Sequence, residues 1–239
     1  MTTTAYRRPS TLEQALELLE HPGTVVLAGG TWLNARPTTE AVEVVDLQAL
    51  DLGRIEVSGP DELRIGAMAT LQQLVERDDA PDVLREAARR EQPSTLRAQA
   101  TVGGCVVTGH AESELVAALL VHEAVVHLAG RTSTEDVPLE QLLADGLAPG
   151  HVVTGLTVRI DGVAAADRTA RTPADRAIVA AYGRVSARGR RVALTGVAPT
   201  PVLVQSGDGL DPTGDFRGAS DYRRALADVL MARVVEAIA

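Results

Sequence analysis

Two paired-glycine segments constrain the fold of this chain more than any other feature. The first, Gly29-Gly30, follows a short apolar run at 24–27 and precedes Thr31. The second, Gly103-Gly104, interrupts a β-like run at 100–107. Paired glycines allow positive φ and let the backbone approach another group closely. Successive amides can bind an anion, so phosphate binding and an ordinary tight turn or bulged strand are both open for each segment.

Short helix and strand patterns alternate along the chain. Ser10 and Glu13 have capping-box spacing and predict a helix over about 11–20; Thr70 and Gln73 predict another helix start. Further helices are predicted over 82–91 and 113–123. Strands are predicted over 24–27, 42–47, 63–67, 100–107, 125–128, 151–160, 177–185 and 191–197. This alternation predicts an α+β protein.

The C-terminal third begins with a different pattern. The polar, Ala-rich stretch 161–175 is predicted to be a linker or an exposed excursion, and 199–201 closes the unit that follows it. Asp221 opens a last helix. Its predicted apolar face consists of Tyr222, Leu226, Val229, Leu230 and Val234.

Composition excludes several functions. The net charge of −9 argues against nucleic-acid and anionic-membrane partners, and aromatic residues at 2% are too few for a base-stacking surface. The single cysteine, Cys105, cannot form an internal disulfide or a four-cysteine zinc or iron–sulfur site. No apolar h-region follows the basic pair Arg7-Arg8, and no run approaches the ~18 apolar residues of a membrane span. A cytoplasmic location is therefore expected.

Ordered motifs along nearly the whole chain resemble those of the FAD-binding medium subunit of molybdenum hydroxylases. This family includes xanthine dehydrogenase, carbon monoxide dehydrogenase and aldehyde oxidoreductases. The matching segments are 9–19, 27–31, 45–47, 64–70, 96–104, 191–201 and 221–224. Agreement in order across both halves is stronger evidence than either glycine segment alone.

The resemblance implies a definite domain organisation. Residues 1–165 would form an FAD-binding PCMH-type domain, with subdomains at about 1–55 and 56–165 and the cofactor in the cleft between them. Residues 175–239 would form a small α+β C-terminal domain, an antiparallel sheet with helices, like that of carbon monoxide dehydrogenase flavoproteins.

The resemblance also implies the cofactor contacts. The first segment would wrap the FAD pyrophosphate, and the second would supply further contacts. The implied FAD-binding residues are Leu27, Ala28, Gly29, Gly30, Thr31, Trp32, Leu33, Thr101, Gly103, Gly104, Cys105, Thr108 and Glu114.

Three of these positions depart from the family pattern. Cys105 stands where the family usually has Asn, and Glu114 stands where an Asp binds a flavin sugar hydroxyl. Glu112 and Glu114 are equally well explained as acidic charges at a helix N-terminus. Trp32, where small or acidic polar residues are common, would flank the cofactor or pack in the fold.

The implied role is electron transfer, with no catalytic side chain on this chain. A large partner subunit would carry the molybdopterin and a small partner the [2Fe-2S] clusters, in a heterotrimeric unit. Electrons would leave for an acceptor such as NAD, a quinone or oxygen. Two alternatives stay open: a flavin-free scaffold subunit, and a stand-alone flavin oxidase of the vanillyl-alcohol-oxidase class.

Other chemistry has little support in the sequence. The five histidines lack zinc-ligand spacing, and His122 and His127 are interpreted as structural. There is no Gly-x-Ser-x-Gly elbow. Cys105 has no identifiable base nearby in the sequence, so we do not expect it to be a nucleophile.

Overall fold

The computed structural model describes residues 2–35, 41–207 and 209–239. The strands are β1 (Thr2–Arg7), β2 (Thr24–Leu27), β3 (Ala41–Asp46), β4 (Ile55–Gly59), β5 (Glu62–Gly66), β6 (Val125–Ala129), β7 (Thr134–Pro138), β8 (Val152–Arg159), β9 (Val163–Thr169), β10 (Val179–Ser186), β11 (Gly189–Thr195) and β12 (Val202–Val204). The helices are α1 (Leu12–Leu18), α2 (Leu71–Val75), α3 (Asp82–Glu91), α4 (Ser94–Arg97), α5 (Val102–Thr108), α6 (Glu114–Val121), α7 (Leu139–Asp145) and α8 (Ser220–Ala237), with a 3₁₀ turn at Leu47–Ala49.

The described strands form three sheets, which confirms the predicted α+β class. The first is parallel, in the order β1-β3-β2. The second is antiparallel, in the order β4-β5-β8-β6-β7, and the third is antiparallel, in the order β12-β11-β10-β9. The sequence pattern does not predict six elements that are short or polar: β1, β4, β7, β12, α4 and α7.

A capping box fixes the start of one predicted helix, and a second helix has the bounds that were predicted for it. Thr70 and Gln73 form the predicted capping box at α2, and α3 has the predicted bounds. The predicted capping box of Ser10 and Glu13 is wrong. The N-cap of α1 is Thr11, whose hydroxyl accepts from the amide of Gln14 at 3.3 Å. The helix starts one residue later because either hydroxyl residue suits the cap.

The predicted linker over 161–175 is also wrong, because β9 lies within it. β9 pairs with β10 along its length, from Val163 opposite Val185 to Thr169 opposite Val179. It is an edge strand, so its outer side tolerates the polar residues that suggested a linker. The third sheet thus begins at Val163. The division between domains stays a prediction, and we propose that it falls before that residue.

The buried face of α8 is rotated from the predicted one and shares Leu230 and Val234 with it. Tyr222 and Val229 are about half exposed, at 47% and 48%, whereas Arg223 and Ala227 are buried beside Leu230 and Val234. The guanidinium of Arg223 donates to the carbonyl oxygens of Ile178 at 2.7 Å and Gly196 at 3.1 Å. A paired arginine therefore occupies a core position that the apolar pattern could not indicate.

α6 lies at the centre of the largest core cluster. All eight of its residues are buried. The cluster extends through Leu63 and Leu156 of the second sheet to Ala180 and Tyr182 of the third. The two sheets thus share one core, which holds β10 and the segment before it in a fixed position beside the first half of the chain.

Candidate functional site

A cavity of about 500 Å³ lies where the two glycine segments meet. Of the predicted site residues, its lining includes Ala28, Gly29, Gly30, Thr31, Trp32, Leu33, Thr101, Gly103, Gly104, Cys105 and Thr108. Leu27, the last residue of β2, and Glu114 lie outside this lining. The fold therefore brings both segments together at one site, although they are about 70 residues apart in the chain.

The first segment leaves β2 in a turn that only glycine allows. A Cβ at Gly29 would lie 1.7 Å from the carbonyl oxygen of Gln99, so this residue packs directly on the backbone that leads into the second segment. Gly30 has φ of +72°, in the left-handed region. The first segment is therefore held against the second by backbone contact.

We call three successive amides of this turn the free amides, because they have no hydrogen-bond acceptor among the described residues. The N–H groups of Gly29, Gly30 and Thr31 make no hydrogen bond with any residue that the structure describes. Backbone donors normally find a partner, so free amides on a cavity wall favour a bound acceptor. A concave run of such amides suits an anion.

The second segment is helical, so the strand predicted over 100–107 is wrong. The hydroxyl of Thr101 caps α5 by accepting from the amide of Gly104 at 3.1 Å. The helix ends at Gly109, which has φ of +50°. The β-branched residues that suggested a strand pack on the core instead, with Val102 and Val106 buried.

The amides of the second segment are already used within the protein. The N–H of Gly103 donates to the oxygen of Ala67 at 2.9 Å, and that of Cys105 donates to the oxygen of Thr101 at 3.1 Å. A Cβ at Gly103 would lie 2.7 Å from the Cβ of Ala67. Gly103 therefore allows close packing of α5 against the end of β5, and the amides of this segment do not supply free donors.

The remaining polar groups of α5 are also engaged or neutral. Thr108 donates its hydroxyl proton to the oxygen of Gly104 at 2.9 Å or to that of Cys105 at 3.0 Å. Burial, together with the nearby carboxylate of Glu91, raises the pKa of the Cys105 thiol well above its usual value. A protonated thiol is a poor nucleophile, so the structure offers Cys105 no catalytic role.

The cavity wall contains four further charged or titratable residues that were not among the predicted site residues: Glu91, His110, His151 and Arg176. Burial raises the pKa of Glu91, which accepts a hydrogen bond from the amide of Leu115 at 3.1 Å. Burial, and next the charge of Arg176, lower the pKa of His110. The four lie in separate parts of the chain, and no local spacing relates them.

Glu114 lies in the first turn of α6, as expected for an acidic charge at a helix N-terminus, and its carboxylate is engaged within the protein. Its carboxylate accepts from the hydroxyl of Tyr182 at 2.8 Å and from Nε of Arg168 at 3.0 Å, and the residue is buried. Glu112 pairs with Arg217. Both glutamates thus tie the start of the α6 region to the C-terminal part, and Glu114 is absent from the cavity wall.

The interpreted structural histidines have structural partners. Nδ1 of His122 lies 2.6 Å from the oxygen of Arg159, and burial lowers the pKa of His122 to about 4. His127 lies between Asp136 and Thr157. Within 2–35, 41–207 and 209–239, no group of three or more His, Cys, Asp or Glu residues could hold a metal ion. No helix in these ranges is long and apolar enough to cross a membrane.

Comparison with known proteins shows the family to which this chain belongs. Residues 2–158 match the family described as the FAD binding domain in molybdopterin dehydrogenase. The uncharacterized protein YgfM of Escherichia coli (strain K12) is 33% identical over 249 residues, covering 94% of this chain and 92% of that protein. The chain therefore belongs to the FAD-binding domain family of molybdopterin dehydrogenases, and FAD is the cofactor of that family.

Solved structures show the same fold across the whole chain. One is quinoline 2-oxidoreductase from Pseudomonas putida 86, with a TM-score of 0.89, 22% identity and coverage of 98% of this chain and 96% of that chain. Carbon monoxide dehydrogenase from Hydrogenophaga pseudoflava has a TM-score of 0.88 and 22% identity, with coverage of 98% of this chain and 96% of that chain. Carbon monoxide dehydrogenase from Oligotropha carboxidovorans has a TM-score of 0.87 and 24% identity, with coverage of 98% of each chain. The likeness includes the third sheet, which lies beyond the family match.

Proposed function

We propose that this chain is the FAD-binding, electron-transferring subunit of a molybdenum hydroxylase-type oxidoreductase. The observation that carries the proposal is the row of free amides at Gly29, Gly30 and Thr31 on the wall of a cavity built from both glycine segments. Membership of the FAD-binding family supports the identity of the ligand. The oxidoreductases named among the solved structures support the reaction class.

The two segments would divide the work of holding FAD. The free amides of the first would donate to the pyrophosphate oxygens, within a loop that runs from Leu27 to Leu33 and includes Ala28 and Trp32. The second, with Thr101, Gly103, Gly104, Cys105 and Thr108, would shape the wall against which the cofactor packs. We leave Glu114 out of the contact set, because its carboxylate is paired elsewhere.

When bound, FAD supplies the redox chemistry, and the chain binds it, orients it and excludes water. The apolar part of the wall, which includes Val26, Leu47 and Val152, suits a flat aromatic ring. The buried thiol of Cys105 adds a neutral surface. The described cavity thus needs no acid–base residue for its proposed work.

The proposed partner subunits would carry the redox centres that this chain cannot ligate. With one cysteine in the sequence, iron–sulfur clusters have no place here, so a small partner subunit would carry them. A large partner subunit would carry the molybdopterin and the substrate. The acceptor would be NAD, a quinone or oxygen.

A flavin titration tests the proposal. Purified protein, incubated with FAD and desalted, is expected to show flavin absorption bands at about one FAD per chain, as expected for a single site of this kind. Quenching of flavin fluorescence during titration gives the dissociation constant. A chain that shows no bands after this treatment and no quenching would contradict the proposal.

A flavin-free scaffold subunit is the second candidate. It is favoured by the paired carboxylate of Glu114 and by the engaged amides of α5, since neither is available to a cofactor. Such a subunit would still bind its partners. Isolation of a complex that contains molybdenum and iron–sulfur clusters but no flavin would favour it over the first candidate.

A further inference from the structure

The backbone amides of the cavity supply little positive charge for an anionic ligand such as FAD. The pyrophosphate of FAD is an anion, the protein carries a net charge of −9, and Glu91 contributes a carboxyl group to the cavity wall. Free amides supply only partial positive charge. A wall of this kind binds an anion well when a full positive charge is added to it.

Arg176 is placed to supply that charge. It precedes β10, it lines the cavity, and it is exposed. Its guanidinium makes no ion pair or hydrogen bond with any residue in the described ranges. Arg168 and Arg217, in the same half of the chain, are by contrast paired with Glu114 and Glu112.

Arg176 is the one residue of the described wall with a permanent positive charge, and the imidazoles of His110 and His151 also line the cavity. The lining contains no second Arg or Lys among the described residues. The lowered pKa of His110 keeps its ring neutral at neutral pH, and Cys105 remains a protonated thiol. The charge of Arg176 reaches Glu91, Cys105 and His110, because it contributes to the pKa shifts of all three.

We propose that Arg176 binds the FAD pyrophosphate together with the free amides of Gly29, Gly30 and Thr31, which line the same cavity. Arginine presents a planar fork that matches phosphate oxygens, so this contact would add both charge and direction. Arg176 lies beyond the residues that match the FAD-binding family, which end at 158. The third sheet would then be part of the cofactor site. This inference rests on the proposed function.

Substitution of Arg176 tests the contact by binding alone. FAD dissociation constants are measured by flavin fluorescence for the wild type, R176Q and R176K. We expect R176Q to weaken FAD binding by about tenfold or more at low salt, since it removes a charge-assisted hydrogen bond. R176K keeps the charge and loses the fork, so its affinity should lie between the other two.

Salt and a flavin-free competitor locate the effect. The difference between wild type and R176Q should shrink when salt is raised from about 0.05 M to about 0.5 M, because ions screen exposed charges. ADP, which carries a pyrophosphate and no flavin, should compete with FAD, and R176Q should weaken ADP as it weakens FAD. An ADP affinity that R176Q leaves unchanged would overturn the pyrophosphate contact.

R233Q is the matched control. Arg233 lies on α8, is exposed and is absent from the cavity lining, so its loss changes the net charge equally. R233Q should bind FAD within about twofold of the wild type, as expected for a distant exposed charge. Equal weakening by R233Q, or none by R176Q, would overturn the role of Arg176 alone. A wild type that binds no FAD would instead refute the proposed function.

Discussion

The two glycine segments have the same dipeptide and different physical tasks. At Gly29-Gly30 the chain leaves a strand, one glycine has positive φ, and the amides are free. At Gly103-Gly104 the chain is in the first turn of α5, and the amides are bonded to Ala67 and to the hydroxyl of Thr101. The first segment offers donors to a ligand, whereas the second gives up its donors to bring a helix close to a strand.

A glycine pair therefore does not by itself define an anion site. What separates the two is the fate of the backbone N–H groups, which depends on residues distant in sequence. Ala67 accepts from Gly103 and the hydroxyl of Thr101 accepts from Gly104, whereas no described residue accepts from Gly29, Gly30 or Thr31. Substitutions of single glycines can therefore separate packing from binding.

The largest effect is expected for G29A. The added methyl group would lie 1.7 Å from the oxygen of Gln99 and 2.6 Å from its carbonyl carbon, and both are backbone atoms that cannot turn aside. We expect a loss of about 3 kcal/mol or more in the free energy of unfolding, measured by urea denaturation, because the two segments must separate. FAD affinity should fall as well. A G29A protein as stable as the wild type would show that the segments are not in close contact.

A smaller effect is expected for G103A, with G104A as its matched control in the same helical turn. Alanine favours a helix over glycine by at most about 1 kcal/mol. At Gly103 the methyl group would lie 2.7 Å from the Cβ and 2.8 Å from the oxygen of Ala67, so overpacking of about 2 kcal/mol should outweigh that gain.

At Gly104 the nearest atom is the hydroxyl oxygen of Thr101, at 3.0 Å. G104A should therefore be close to neutral in the free energy of unfolding. Urea denaturation of both variants gives the comparison directly. If G104A destabilised the protein as much as G103A, the packing role assigned to Gly103 would be wrong.

The smallest effect concerns the thiol of Cys105. Because its pKa is raised well above the usual value, it should react slowly with a thiol reagent at pH 8 compared with a free cysteine. In the unfolded chain the thiol ionises near its ordinary pKa of 9.0, so the stability that its neutral burial contributes is present below that pH and is lost as pH rises above it.

The rate of thiol labelling, followed by absorbance with and without urea, checks this prediction. C105S, which cannot be labelled, provides the baseline. Rapid labelling of the folded protein would place the thiol in contact with solvent and contradict its burial.

The sequence predicted the α+β class and the turn after β2, because both depend on local signals. Thr24–Leu27 is a β-branched run, and the glycines that follow it stop the strand. The helix α5 was not predictable in this way, since Val102, Val106 and Val107 favour strands by propensity and the tertiary contact of Gly103 with Ala67 decides otherwise. Local propensity is a weak guide where packing is this close.

The charged wall of the cavity was beyond the reach of sequence reasoning. Glu91 ends α3, His110 follows α5, and Arg176 precedes β10, so only the packing of three elements relates them. Glu114 illustrates the reverse. The resemblance pointed to a ligand contact, but the position of Arg168, on a strand hidden in the predicted linker, engages its carboxylate.

The burial of α6 on every side limits which parts of the gene could encode a stable product on their own. A gene that encoded residues only as far as 158 would include the whole of the family match, yet its product would leave the side of α6 that packs on Ala180, Tyr182 and Ala193 open to water. It would also leave Glu114 as a carboxylate stripped of Arg168 and Tyr182. Recombination at that point would give a fragment with an exposed apolar surface, which is prone to aggregate. We therefore expect the two parts of the chain to be retained together during evolution.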